Sequence, residues 1–161
     1  MFILNDRVDL AVAADADGVH LGQDDLDINE ARPRLPPEML VGISTHDGDQ
    51  LLSACDAGAD YLGVGPVMRS STKSFDEFAG LQFVEVASAK ADRPWFAIGG
   101  IDAGNVAAVT AVGATRVAVS SAVIRHEDPA AAAAELRRLL QPSASLLKIH
   151  KDHSLADSTE A

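Results

Sequence analysis

One short pattern recurs three times along the chain. Residues 14–22 read ADADGVHLG, residues 57–65 read AGADYLGVG and residues 112–120 read VGATRVAVS. Each joins the end of a helix-like stretch to a Gly or Asp turn, then to a short apolar run that stops at a small residue. Short, nearly continuous apolar runs suit strands buried on both faces. Where such strands alternate with amphipathic helices, they form βα units with parallel pairing.

Six strands are predicted on this basis, near residues 2–4, 18–21, 40–44, 61–64, 95–98 and 117–120. Helices fit between and after them, near 7–14, 28–35, 48–57, 78–89, 104–112 and 129–140. Pro129 after Asp128 marks a helix start, because a proline at the first helical position loses no hydrogen bond. Beyond Gln141 the pattern gives way to PSASLLKIHKDHSLADSTEA. The expected organisation is one α/β domain over 1–140 and a polar, disordered tail over 141–161.

Composition narrows the partners. The 161 residues are 47% apolar and only 4% aromatic, enough for one real core built from small side chains. A formal charge of −11 repels nucleic acid and anionic membrane surfaces. An anionic ligand must therefore be held by local devices: backbone N–H groups, one or two cations, or a metal. Cys55 is the single cysteine, which excludes an internal disulfide and suits a reducing compartment. It is expected to be a plain buried thiol. No apolar run approaches a membrane span and the N-terminus is not signal-like, so a cytoplasmic location is expected.

The strand tips carry the chemistry. The strands run into Asn5-Asp6, Gly22-Gln23-Asp24-Asp25, Ser44-Thr45-His46, Gly65-Pro66, Gly99-Gly100 and Ser120-Ser121. In parallel α/β folds ligands bind at this end. Asp6 and Asp25 follow their strands closely, so one rim can present both carboxylates. Two hard oxygen ligands, completed by water and phosphate, hold Mg²⁺; the alternative is that each caps the helix that follows. Ser70-Ser71-Thr72-Lys73 places hydroxyls beside a cation, a combination that binds phosphate oxygens or forms a solvated loop. Gly99-Gly100 and Ser120-Ser121 follow the last two strands, where barrels commonly build a phosphate site from bare backbone amides. His46 has the chemistry of an acid or base. His20, inside a strand, is expected to be partly buried and satisfied, and neither histidine is given a role.

Seven segments in order resemble thiamine phosphate synthase. They are Asn5-Asp6-Arg7, residues 17–25 (DGVHLGQDD), 42–46 (GISTH), 58–66 (GADYLGVGP), 70–73 (SSTK), 97–101 (AIGGI) and 119–122 (VSSA). The match runs from the first residue to about Leu140. The resemblance implies a TIM (β/α)8-type barrel, here incomplete with about six βα units. It implies a transferase that joins hydroxymethylpyrimidine diphosphate to thiazole phosphate, with Mg²⁺, giving thiamine phosphate and pyrophosphate. On that pattern Asp6 and Asp25 bind the metal, and Asn5, Ser44 and Lys73 contact the pyrimidine diphosphate, Ser44 and Lys73 as catalytic groups. Ser70, Ser71, Thr72, Gly100, Ser120 and Ser121 surround the thiazole phosphate.

Two departures accompany the resemblance. Arg69-Ser70 stands where the family usually carries Pro-Thr, a change that keeps the hydroxyl. The match also begins at the family's third strand, so the first two βα units and their Gln-x-Arg-x-Lys stretch have no counterpart. Nothing in the sequence replaces that stretch, and Arg7 and Arg69 are candidates by charge alone. Six strands do not close an eight-stranded barrel, so open edges are expected, with poor solubility, self-association or need of a partner that supplies the missing units. The alternatives are a thiazole tautomerase-like member and a non-catalytic phosphate-ligand-binding remnant.

Overall fold

The computed structural model describes residues 1–68 and 79–141. Six strands, β1 (Ile3–Asn5), β2 (Gly18–Leu21), β3 (Leu40–Thr45), β4 (Tyr61–Val64), β5 (Trp95–Ile98) and β6 (Val117–Ala118), form one sheet in sequence order. Every neighbouring pair is parallel. The helices are α1 (Val8–Ala13), α2 (Ile28–Ala31), α3 (Gly48–Asp56), α4 (Gly80–Lys90), α5 (Val106–Ala111), α6 (Ser121–Ile124) and α7 (Pro129–Leu139). Consecutive parallel strands joined by helices, as the recurring pattern predicts, curl into part of a (β/α)8-type barrel, as the resemblance implies.

Strand alternation explains how the chain divides its faces. Val19, Leu21, Val41, Leu62, Val64 and Ala97 are completely buried and share one face of the sheet. They pack in one cluster with Ala11, Leu51, Val84, Ala87, Val106 and Val109 of the helices. This helix-side layer is the core. The residues between them, including His20, Gly42, Ser44, Tyr61, Gly63, Phe96 and Ile98, point to the inner face. Thr45 is the buried polar exception on the helix side, and its hydroxyl donates to the Gly63 carbonyl at 2.9 Å.

The opposite end of the sheet is pinned by one carboxylate. Asp60 Oδ2 accepts from the Val41 amide and from Arg32 Nη2, both at 2.7 Å. Arg32 also donates to the carbonyls of Met39 and Gly58. The pair is partly exposed, so its worth lies in fixing the β3–β4 start more than in raw stability.

Element ends differ from the sequence reading in three informative places. A single helix is predicted over 28–35, but the α-helix stops at Ala31 and a 3₁₀ turn (Arg32–Arg34) follows. Pro33 has no N–H to continue the α ladder, which explains the change. The last strand ends at Ala118 rather than 120, and the short helix α6, absent from the prediction, begins at Ser121. α7 starts at Pro129 as predicted, and Asp128 caps it, its side chain accepting from the Ala131 amide at 2.9 Å. The Ser70–Lys73 segment and the tail from 142 lie outside the described residues.

β1 and β6 are edge strands among the described residues. Phe2 beside β1 is 52% exposed and Ile98 on the inner face is 44% exposed, so the apolar lining of the half-barrel meets solvent. Cys55 is buried, as expected. No helix among the described residues is long and apolar enough to cross a membrane.

Candidate active site

The strand ends open into a cavity of about 740 Å³. Asn5, Asp6, Asp25, Ser44, Gly100, Ser120 and Ser121 all line it. The structure therefore gathers every predicted site residue within the described set around one space, from β1 to the β6 end. Ser70, Ser71, Thr72 and Lys73 are the predicted residues outside that set. A second hollow of about 430 Å³ lies beside α1, lined by Arg7, Val12, Leu26 and Arg34 among others. It has none of the hydroxyl or glycine loops, so the chemistry points to the larger cavity.

Local turns aim the two carboxylates. Asp6 adopts φ +67°, uncommon for a residue with a β-carbon. Its amide donates to the His20 carbonyl at 2.8 Å, extending the β1–β2 ladder by one rung, and Arg7 turns back to the Asn5 carbonyl. Asp25 closes its own loop, Oδ2 accepting from the Gly22 amide at 2.7 Å. Neither caps a helix: Arg7 occupies the N-cap of α1 with no side-chain bond, and Asp27 caps α2. The capping alternative is thereby removed for both. Arg7 is engaged by Asp9 through two bonds of 2.8 and 2.6 Å, which hold the Asp9 carboxyl down at about 2.

Two carboxylates on neighbouring strand ends, facing a polar cavity, suit Mg²⁺, which takes one or two protein carboxylates and fills its shell with water and phosphate. Among the described residues no group of three His, Cys, Asp or Glu side chains is arranged to hold a metal. An all-protein cage, as a structural zinc requires, is therefore not built here from those residues.

The inner face carries a polar line that sequence reading leaves unassigned. His20 Nε2 lies 2.9 Å from Ser44 Oγ, and His20 Nδ1 lies 3.0 Å from the Tyr61 hydroxyl. Burial lowers the His20 pKa, against the opposing pull of Asp6 and Asp25. Burial likewise raises that of Tyr61. Gln23 Nε2 donates to the Ser44 carbonyl at 2.6 Å, so Ser44 is held at both ends. His46 Nδ1 donates to the Gly65 carbonyl at 2.6 Å, and the His46 amide donates to Gln50 Oε1. Strand alternation was the available signal: His20, Ser44 and Tyr61 fall opposite the buried valines and leucines.

The β5 end is built from glycines for a steric reason. Gly99 and Gly100 have φ of +101° and +62°. A β-carbon at Gly99 would lie 2.8 Å from Pro66 Cα, so only glycine lets the two loops cross. The amides of Val67 and Met68 donate to the carbonyls of Ile98 and Gly99 at 2.9 and 3.0 Å, which locks the crossing. Asn105 Nδ2 holds the Gly100 carbonyl at 2.8 Å. With that carbonyl engaged, the loop can offer its backbone amides to an anion.

Comparison with known proteins agrees with this geometry. A family model described as thiamine monophosphate synthase matches residues 1–123. A thiamine-phosphate synthase of Synechococcus sp. (strain CC9311) is 57% identical over 141 residues, 88% of this chain and 39% of that protein. One from Synechocystis sp. (strain ATCC 27184 / PCC 6803 / Kazusa) is 48% identical over 84% of this chain and 40% of its own length. Among solved structures, a thiamine phosphate pyrophosphorylase from Pyrococcus furiosus superposes with a TM-score of 0.77 at 37% identity. That match covers 87% of this chain and 67% of the other. The chain thus spans about two fifths of the length of the curated relatives it matches.

Proposed function

This chain belongs to the thiamine monophosphate synthase family, and from that membership we propose that it couples hydroxymethylpyrimidine diphosphate with thiazole phosphate to give thiamine phosphate and pyrophosphate. The observation that carries the reading is the sharing of one cavity by these residues. Asn5, Asp6, Asp25 and Ser44 line one side of it, and Gly100, Ser120 and Ser121 line the other. A transferase joining two phosphorylated molecules needs two anion-binding regions within one space.

The residues divide the work by chemistry. Asn5 and Ser44 orient the pyrimidine diphosphate at the β1–β3 side. Gly100, Ser120 and Ser121 receive the thiazole phosphate with backbone amides and hydroxyls, joined by Ser70, Ser71 and Thr72. The C–O bond to the diphosphate breaks with its electron pair going to the departing oxygen, and the thiazole nitrogen supplies the pair for the new C–N bond. Lys73 offsets the charge that grows on the leaving group. Asp6 and Asp25 would hold Mg²⁺, which when bound supplies further neutralisation of the diphosphate.

The same reading extends to setting and assembly. The lone cysteine suits a cytoplasmic location. The edges of β1 and β6, unpaired among the described residues, with Phe2 and Ile98 exposed near them, support association with a second copy through those edges. Calorimetric titration of each substrate separately tests the division of the cavity. Ser44→Ala is expected to weaken the pyrimidine diphosphate about tenfold and to spare the thiazole phosphate, with the reverse for Ser120→Ala combined with Ser121→Ala. Equal losses for both ligands in both variants would overturn it.

A further inference from the structure

His20, Ser44 and Tyr61 come from three different strands, yet their polar ends meet in one line. His20 is in register with Gly42, and Gly42 with Tyr61. The histidine and the tyrosine meet across the bare glycine, their ring centres 5.4 Å apart. Phe96 packs edge-on against the other side of Tyr61 at 5.9 Å, which fixes the phenol ring.

We infer that His20 is a positioning residue that accepts a hydrogen bond from Tyr61 at Nδ1 and donates one to Ser44 at Nε2, so that Ser44 turns its own hydroxyl hydrogen into the cavity. A neutral imidazole has one donor and one acceptor, so its two bonds have opposite senses. A phenol is a stronger donor and a poorer acceptor than an alkyl hydroxyl. The pairing that follows has Tyr61 giving and Ser44 receiving. The opposite tautomer would leave the phenol hydrogen without an acceptor among the described residues, since His20 is the partner found for it there. In a half-buried position that omission is costly.

The relay fixes what Ser44 can recognise. With an oxygen lone pair occupied by His20 and its carbonyl held by Gln23, its free hydrogen points toward the ligand. The atom placed there must be an acceptor, such as a diphosphate oxygen or an unprotonated ring nitrogen, and an N–H group is disfavoured. The identity of that ligand as the pyrimidine diphosphate rests on the synthase reading; the relay itself does not.

Nitrogen NMR of the free, histidine-labelled chain tests the relay directly. The expected spectrum shows a protonated Nε2 and a bare Nδ1 for His20, with Tyr61→Phe moving the Nδ1 signal and Ser44→Ala the Nε2 signal. A protonated Nδ1 would overturn it. Binding supplies the second arm. In His20→Gln the amide nitrogen replaces Nε2, and pyrimidine diphosphate affinity is expected to stay within about threefold. His20→Asn replaces Nδ1 alone and is expected to lose about tenfold, while thiazole phosphate affinity is unchanged in both. Indistinguishable Gln and Asn variants would contradict the relay. If the unaltered chain binds neither substrate, the synthase reading fails, and the tautomer still decides the relay.

Discussion

Gly42 lies directly under the Tyr61 ring, with no room for a methyl group between them: a β-carbon at 42 would collide with Cζ and the hydroxyl. Gly63, one strand over, is different, since a β-carbon there would sit 3.5 Å from His20 Cε1, an ordinary contact. Gly42→Ala should therefore cost about 1–3 kcal/mol of stability, as overpacking does. Gly63→Ala should stay within about 0.5 kcal/mol. Denaturant unfolding of the two variants checks the contrast.

Stability should fall in mild acid because of His20. Burial lowers its folded pKa below the ordinary 6.5, so above that value the ring is neutral whether the chain is folded or not. As pH falls through 6.5 the unfolded chain takes up the proton first, and the fold loses stability until the folded ring also protonates. The unfolding midpoint should drop further between about pH 7 and pH 5 in the unaltered chain than in His20→Gln.

Cys55 should be inert in the folded chain. It is buried on α3, and that burial raises its pKa, which starves it of the reactive thiolate. Its reaction with an aromatic disulfide reagent should be at least about tenfold slower than in denaturant. Equal rates would show that α3 opens readily.

Asp25 serves two ends, and one substitution separates them. Asn at this position keeps an oxygen to accept from the Gly22 amide but removes the charge. Asp25→Asn should thus leave thermal unfolding unchanged while lowering Mg²⁺-dependent turnover by about a hundredfold, the scale of losing one stabiliser of developing charge. Unchanged turnover would remove Asp25 from the metal assignment.

Much of this fold is legible because each short strand is an apolar run that stops at a small or polar tip. The runs ending at Leu21, Val64 and Ile98 each locate a strand, and their tips locate the cavity residues. Boundaries are less legible where the ladder is decided by partners: among the described residues β6 pairs on one side only, and it stops at Ala118, which frees Ser121 to begin α6. The Tyr61–His20–Ser44 line is hidden for another reason. Its members stand 24 and 41 residues from His20, and only register brings them together over Gly42. Asp6 and Asp25 show the converse case. Their types and positions are plain in the sequence, but their release from helix capping depends on the turns at Arg7 and Asp27.

The most direct test of the central claim is thiamine phosphate formation by the purified 161-residue chain, supplied with both substrates, with and without Mg²⁺. Product that appears only with Mg²⁺, together with an equal amount of pyrophosphate, is the predicted result. Folded protein that binds either substrate yet forms no product would contradict the synthase reading, and would leave a phosphate-ligand-binding protein built on the same half-barrel.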